Sequence, residues 1–508
     1  MSSLGNIAPA TSPGPAGEHV FGGVAFQAEA GEPGAAAWGR PRGMALPRPA
    51  EWAFYGFMAC YLYIVPRFPP LPTSPLTLAT LLALLLFGPG LPISLSAYRG
   101  RARLCLVLIT VYFLYALAVD FAATGAFHDG GFLFLAGFLC LAGVAGRTRR
   151  REGAAGVRRL LVVYTVLLVF SMLWFLATYF SDRLFAIHAR YYSYTEEDLR
   201  YRWCSGLSLR PHLFAYQLIP LTIILLAAHA AGRGWRRALF LALLALAGLT
   251  ILLYGERSVV PAVAAGVAFL LPIRELRGGI LRAGLVVAIA AGAVMAREEF
   301  QGWQKSPLQV DLVSRLTNKE LQTETESRLK LQQLGLKTLW RYPEGVLLSG
   351  HSWEAVASRQ DVAVFDAWGR GVIGVHNGYL SAGDTYGLPA AVLILLALWV
   401  LFSISARAVA AHPRQEPRDL TAPVLAAATV GDLVQALFHN ASFASSESST
   451  LILLVLLLAS ISAPGSRSGA LRPQLAKPAD EAGIDATPGD SDASSGNWGS
   501  DMPVAGEK

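Results

Sequence analysis

The chain has 508 residues, 54% of them hydrophobic and 15% charged, with a formal net charge of +7. A soluble globular domain carries nearer ~25% charged residues, so a water-soluble globule does not fit. In so apolar a chain the positive excess reads as a topology signal, and no nucleic-acid partner is expected.

Residues 1–48 are rich in Gly, Pro and Ala and lack an apolar core. They read as a disordered cytoplasmic tail with no cleavable signal peptide. From residue 51 to 463 the apolar residues come in blocks, and residues 464–508 again read as a disordered cytoplasmic tail. Blocks such as Leu160–Phe180 exceed the ~18–20 apolar residues that cross a bilayer as a helix. Barrel strands would alternate apolar and polar residues, and that pattern is absent.

The expected fold is an all-α polytopic membrane protein. About twelve spans are expected, near 51–66, 74–97, 102–123, 130–146, 159–181, 211–231, 235–254, 258–273, 280–297, 379–404, 421–440 and 449–463. Gly88-Pro89-Gly90 and Pro92 should break the second. With the N-terminus in the cytoplasm, all five inner loops are basic. They hold Arg99–Arg103, Arg147–Arg159, Arg233–Arg237, Arg274–Arg282 and Arg407–Arg418. The short outer loops near 123–130 and 440–448 contain no Lys or Arg. This is the positive-inside bias, and it puts both termini in the cytoplasm.

Two outer segments are long, Asp182–Arg210 and a large loop over 298–375 between spans nine and ten. The large loop carries nine Lys/Arg against ten Asp/Glu and exceeds the length of a simple connector. Thr323-Glu324-Thr325-Glu326 should open a helix in it. Leu329, Leu336, Leu339 and Trp340 share one helical face, and Pro343 should end the helix.

Four cysteines, Cys60, Cys105, Cys140 and Cys204, show no pairing pattern, so neither a disulfide framework nor a zinc site is expected. The nine histidines are scattered without HExxH spacing, and no metal or cofactor is expected. No P-loop, dinucleotide fingerprint or GxSxG is present, which argues against cytoplasmic nucleotide chemistry.

The polar outliers fall on the outer side. Arg257, in Gly255-Glu256-Arg257-Ser258, reads equally as a snorkelling interfacial residue or as an anion contact beside a helix start at Ser258. Arg328 reads first as a solvated loop charge, with an anion contact as the alternative. His376-Asn377 precede the tenth span, either as a polar helix cap or as an acid/base pair. Arg210 and His212 flank a helix-start proline, with a site role as the alternative. Asp432 is an intramembrane carboxylate, and His439-Asn440 form a weaker pair at the end of the same span.

Three segments in order resemble the bacterial O-antigen ligase/polymerase family of membrane glycosyltransferases. They are Gly255-Glu256-Arg257-Ser258; Glu326-Ser327-Arg328 followed by Pro343, Gly345 and Gly350; and His376-Asn377-Gly378-Tyr379-Leu380 with Tyr386-Gly387-Leu388. A fainter match covers Leu209–Ala215. Asp384 neighbours the position where the family often has an acid. The resemblance implies that Arg257, Arg328 and Arg210 hold the diphosphate of an undecaprenyl-diphosphate-linked glycan, and that His376 orients or deprotonates an acceptor hydroxyl. Asn377, Ser258, Asp384 and His212 would support the site. It implies a metal-independent enzyme of the bacterial inner membrane, acting on the periplasmic side. The acceptor would be a lipid-linked glycan for a polymerase of exopolysaccharide or O-antigen, or lipid A core for a ligase. A protein O-oligosaccharyltransferase is a third possibility. A flippase or transporter of the same lipid-linked sugars is the rival from another class. Flippase and chain-length regulator proteins are further expected partners, with the bilayer itself.

Overall fold

A computed structural model describes residues 49–64, 74–126, 129–191, 205–208, 211–254, 256, 258–284, 320–351, 353–358, 375–412, 419–439, 442–445 and 447–462. Both tails and the span expected over 280–297, from 285 onward, lie outside the described residues.

The described elements are helical and contain no strand. In chain order they are α1 (Pro49–Tyr63), α2 (Pro75–Phe87), α3 (Leu91–Leu95), α4 (Gly100–Thr124), α5 (Asp129–Glu152), α6 (Ala154–Phe180), α7 (Asp182–Tyr191), α8 (Ala215–Ala231), α9 (Gly234–Tyr254), α10 (Val259–Leu270), α11 (Glu320–Arg341), α12 (Trp353–Ser358), α13 (Gly378–Tyr386), α14 (Leu388–Ala411), α15 (Thr421–Gln435) and α16 (Ser448–Ile461). Residues 274–284 form a further helical segment.

Six helical stretches are long and apolar enough to cross a membrane: Pro75–Leu95, Gly100–Thr124, Gly131–Glu152, Ala154–Phe180, Gly234–Tyr254 and Leu388–Ala411. The chain is therefore a multi-pass membrane protein. Three shorter apolar helices, α8, α10 and α16, accompany them. The expected break in the second span is present as a 3-10 turn, Gly88–Gly90. The tenth expected span differs. Gly387 divides it into α13 and α14, so its polar head is separate from the crossing helix.

The short helices form the centre. α8, α15 and α16 are buried nearly all round, and Leu451, Leu453, Leu454, Leu457 and Leu458 are fully enclosed. Helices that are apolar on every face belong in such a core. The long helices surround them and turn apolar faces outward, with Leu85 77%, Val166 61% and Trp399 62% exposed. That surface is unfavourable in water and suits hydrocarbon.

Small residues bring α10 and α15 together. Ala262 and Gly266 lie four apart on one helix, as do Ala427 and Gly431 on the other. A Cβ at Gly266 would stand 2.7 Å from the Ala427 carbonyl oxygen, and one at Gly431 3.1 Å from that of Ala262. This small-xxx-small spacing allows backbones to approach where hydrophobicity gives no drive for helix association.

Contacts between loops fall into two sets. At one end Arg158 pairs with Asp419 at 3.5 Å, Arg159 with Glu51 at 3.4 Å, and His412 with Glu275 at 3.6 Å. All come from segments read as inner. At the other end the Ser258 turn, the His376 segment, α11 and the end of α15 meet. Surface ion pairs contribute little stability; here they mark which loops share an end.

Candidate functional site

The last turn of α15 is the hub of that second end. On one side it holds the His376 segment. Gly378 N–H donates to the Ala436 carbonyl at 2.8 Å, and the Tyr379 hydroxyl donates to the Leu433 carbonyl at 2.9 Å. Asn377 is the N-cap of α13, its Oδ1 accepting from the amides of Tyr379 and Leu380 at 3.1 Å each. That satisfies two amides a helix start leaves open. Asn377 therefore has a structural role. His376 occupies the left-handed region at φ 51°, which a side chain other than glycine's seldom adopts. The cap and the hydrogen bond from Gly378 hold the turn after it.

The loop helix α11 docks on this segment. The Gln332 amide donates to the His376 carbonyl at 3.2 Å and to the Leu437 carbonyl at 3.3 Å. The α11 face turned inward carries Leu331, Leu334, Gly335 and Thr338. Of the apolar stripe read from the sequence, Leu329, Leu336 and Trp340 lie outward, Trp340 77% exposed, while Leu339 is half-buried towards Gly383. The helix ends at Arg341, before Pro343 as expected. Arg328 lies on α11 one turn before Gln332, and its side chain lies outside the described residues.

After α11 the chain crosses the α13–α14 joint backbone to backbone. Val346 N–H donates to the Asp384 carbonyl at 2.8 Å, Leu347 N–H to the Thr385 carbonyl at 3.3 Å, and Leu388 N–H to the Pro343 carbonyl at 2.7 Å. The Pro343–Gly345 and Tyr386–Leu388 motifs, separate in sequence, are thus in direct contact.

Asp384 lies beneath this crossing. It is buried, and neither carboxyl oxygen has a hydrogen-bond partner among the described residues. A Cβ at Gly335 would approach its Oδ2 to 2.8 Å, so the carboxyl packs against α11. Burial pushes its pKa up to about 8, which favours the neutral form at neutral pH.

On the hub's other side, the Ser258 hydroxyl donates to Glu256 Oε1 at 2.9 Å and accepts from Gln435 Nε2 at 2.8 Å. His439 Nε2 lies 3.2 Å from Glu256 Oε1, and the Tyr216 ring stands edge-on to the His439 ring. His439, the weaker candidate in the sequence, is therefore the histidine tied to the Ser258 turn. Deeper in the bundle Thr450 bridges two acids. Its hydroxyl donates to Asp432 Oδ2 at 3.1 Å and its amide to Glu447 Oε2 at 2.9 Å. Glu447 caps α16.

The structure therefore brings Ser258, His376, Asn377 and Asp384 to one end of the bundle. Arg257 and Arg210 lie outside the described residues, as does Asn440. His212 falls in the turn Pro211–Phe214, and its side chain is outside them too. Cys60, Cys105 and Cys140 are free thiols, and Cys204 is outside the described residues. No group of three metal-ligating side chains occurs among the described residues. Sequence reasoning missed Gln332, Gln435 and Glu447. Only Glu447, an acid just before an apolar run, carried a signal, as a helix cap.

This end can offer the half-buried His376 and His439 to a ligand, while Asp384 and Gln435 are enclosed within it. Compared with models of known protein families and with curated proteins, the chain matches none.

Proposed function

We propose that the chain is a metal-independent membrane glycosyltransferase. Its donor is an undecaprenyl-diphosphate-linked glycan at the periplasmic face of a bacterial inner membrane, and it polymerises repeat units of an exopolysaccharide or O-antigen. The fold proposed with it has twelve spans, both termini in the cytoplasm and the 298–375 loop outside. One observation carries the reading. The three segments that resemble the glycosyltransferase family are far apart in sequence, yet Gln435, Ala436 and Leu437 hydrogen-bond to Ser258, Gly378 and Gln332 in turn.

In the proposed reaction the acceptor hydroxyl forms a C–O bond to the anomeric carbon, and the C–O bond to the lipid diphosphate breaks. The proton passes to the His376 imidazole. Arg257, Arg328 and Arg210 stabilise charge on the departing diphosphate. Ser258, Asn377, Asp384 and His212 shape the surrounding turns. Attack opposite the leaving group inverts the anomer.

A ligase that transfers glycan to lipid A core uses the same donor and the same residues. A flippase is the second reading, favoured by the Asp432–Thr450–Glu447 cluster inside the bundle, since a translocation path needs buried polar groups. Gene deletion followed by glycan analysis separates the three. Single repeat units still joined to lipid A core are the polymerase result. Long polymer that never reaches lipid A indicates the ligase. Lipid-linked repeats trapped on the cytoplasmic leaflet would sink both in favour of the flippase.

A further inference from the structure

A groove of about 700 Å³ opens on the side of the bundle between α6, α8 and α9. Its walls are apolar, among them Val166, Leu225, Leu239 and Leu243. Its mouth carries Arg233, Trp235 and Arg236, and none of the described residues lining it is acidic. The mouth is at the end where Arg158 meets Asp419, opposite the Ser258 and His376 turns.

Size and charge together select an occupant. The α6 wall runs from Leu161 to Val169 and the α9 wall from Trp235 to Leu243. Each is about 12 Å long at ~1.5 Å per residue. That is most of one leaflet of a ~30 Å hydrocarbon layer, so the groove runs from headgroup level towards the midplane. Trp235 is 72% exposed, with the Arg236 guanidinium 5.9 Å from its ring centroid. A tryptophan and an arginine at a helix start are the residues of a membrane interface. The turn that presents them is tight. His229 Nδ1 lies 3.1 Å from the Arg237 carbonyl oxygen, and a Cβ at Gly232 would meet the Ala228 carbonyl at 2.8 Å. A second cavity of about 350 Å³, lined by His229, Arg237 and Arg282, adjoins the same turn. The corner is thus basic on both sides.

We propose that this groove binds an anionic phospholipid of the adjoining leaflet. One acyl chain lies between α6 and α9, and the phosphate rests on Arg233 and Arg236. A zwitterionic lipid fits the walls but offers no net charge to the arginine pair. The site does not depend on the proposed glycosyl transfer, which takes place at the opposite end.

The test uses the full chain in mild detergent. It is exposed to equal amounts of phosphatidylglycerol and phosphatidylcholine, and retained lipid is counted by native mass spectrometry. Wild type should retain phosphatidylglycerol preferentially. Arg233→Gln with Arg236→Gln should lower its retention about fivefold per arginine, the contribution of one basic residue at an anionic membrane surface. Val166→Trp, on the lipid-facing side, should reduce binding of both lipids by filling the groove. Phosphatidylglycerol with a photoreactive acyl chain should label peptides within 161–169 or 224–243. Equal retention of the two lipids, a preference that survives the double substitution, or labelling elsewhere would overturn the proposal. So would an equal loss on Arg149→Gln with Arg150→Gln, because any basic inner loop would then serve.

Discussion

A methyl group at Gly387 should prise the loop from the membrane domain. Gly387 sits at φ 86° and ψ −178°, a region that essentially only glycine adopts, and forcing another residue there costs about 1–3 kcal/mol. Its Cβ would stand 2.5 Å from both the Pro343 carbonyl oxygen and the Glu344 carbonyl carbon. Those are backbone atoms and cannot rotate away, so the Pro343–Val346 crossing must lift. Losing one or two of its interstrand-like hydrogen bonds adds about 1 kcal/mol each. The sum for Gly387→Ala is about 3 kcal/mol, or roughly a hundredfold rise in the open population. Tryptic cleavage after Arg341, under conditions where reclosing outpaces cutting, reads that population directly. Gly350→Ala is the control. Its φ is +71° but nothing lies within 4 Å of its Cβ, so it carries only the left-handed cost of about 1–2 kcal/mol. Gly387→Ala cut no faster than Gly350→Ala would refute the tight backbone crossing.

Other perturbations probe the hub. His376→Gly should relieve the backbone at φ 51° and leave thermal stability equal or higher by about 1 kcal/mol. Under the proposed mechanism it should still lower polymer formation by about 10²–10⁴; polymer made at the wild-type rate would remove the imidazole from the chemistry. Asn377→Ala should cost about 1 kcal/mol through the lost cap, visible as an earlier thermal transition. Asp384 should make stability depend on pH. Its pKa rises from 3.8 unfolded to about 8 folded. Its contribution is fully present below the unfolded pKa and is lost as pH rises through about 8, a change on the order of several kcal/mol. Asp384→Asn should flatten that part of a stability–pH profile, and an unchanged slope would place the carboxyl in water. Ser258→Ala should cost about 1–3 kcal/mol by leaving the fully buried Gln435 amide without its acceptor. Adding Gln435→Leu should recover part of that loss, and strict additivity in the double-mutant cycle would argue against the contact.

The membrane character was legible because runs such as Leu160–Phe180 need no tertiary information. The division at Gly387 also had a sequence signal, a glycine followed by Leu388 and a helix-start Pro389. Hydropathy hid it, since α13 and α14 join into one apolar window. The orientation of α11 was not legible. Leucines occur on both of its faces, Leu331 and Leu334 inward and Leu329 and Leu336 outward, and periodicity does not say which stripe meets the protein. The pair of Glu256 with His439 was hidden by sequence distance. Gln332 and Gln435 were hidden by chemistry, since a neutral amide has no spacing rule until its acceptors are in place. Asn377 showed the reverse. Its helix-start position was evident, and the structure gives the cap as its role.

The two attachments of α11 have a mechanical consequence. Gln332 ties the middle of the helix to His376 and Leu437, and the Pro343 crossing ties its exit to Leu388 at the head of a membrane-crossing helix. With Gly335 pressed on Asp384 between these points, α11 and α13 form a single stiff arm. A load applied to α11 should therefore reach the top of α14 and the last turn of α15 together, as through a crank.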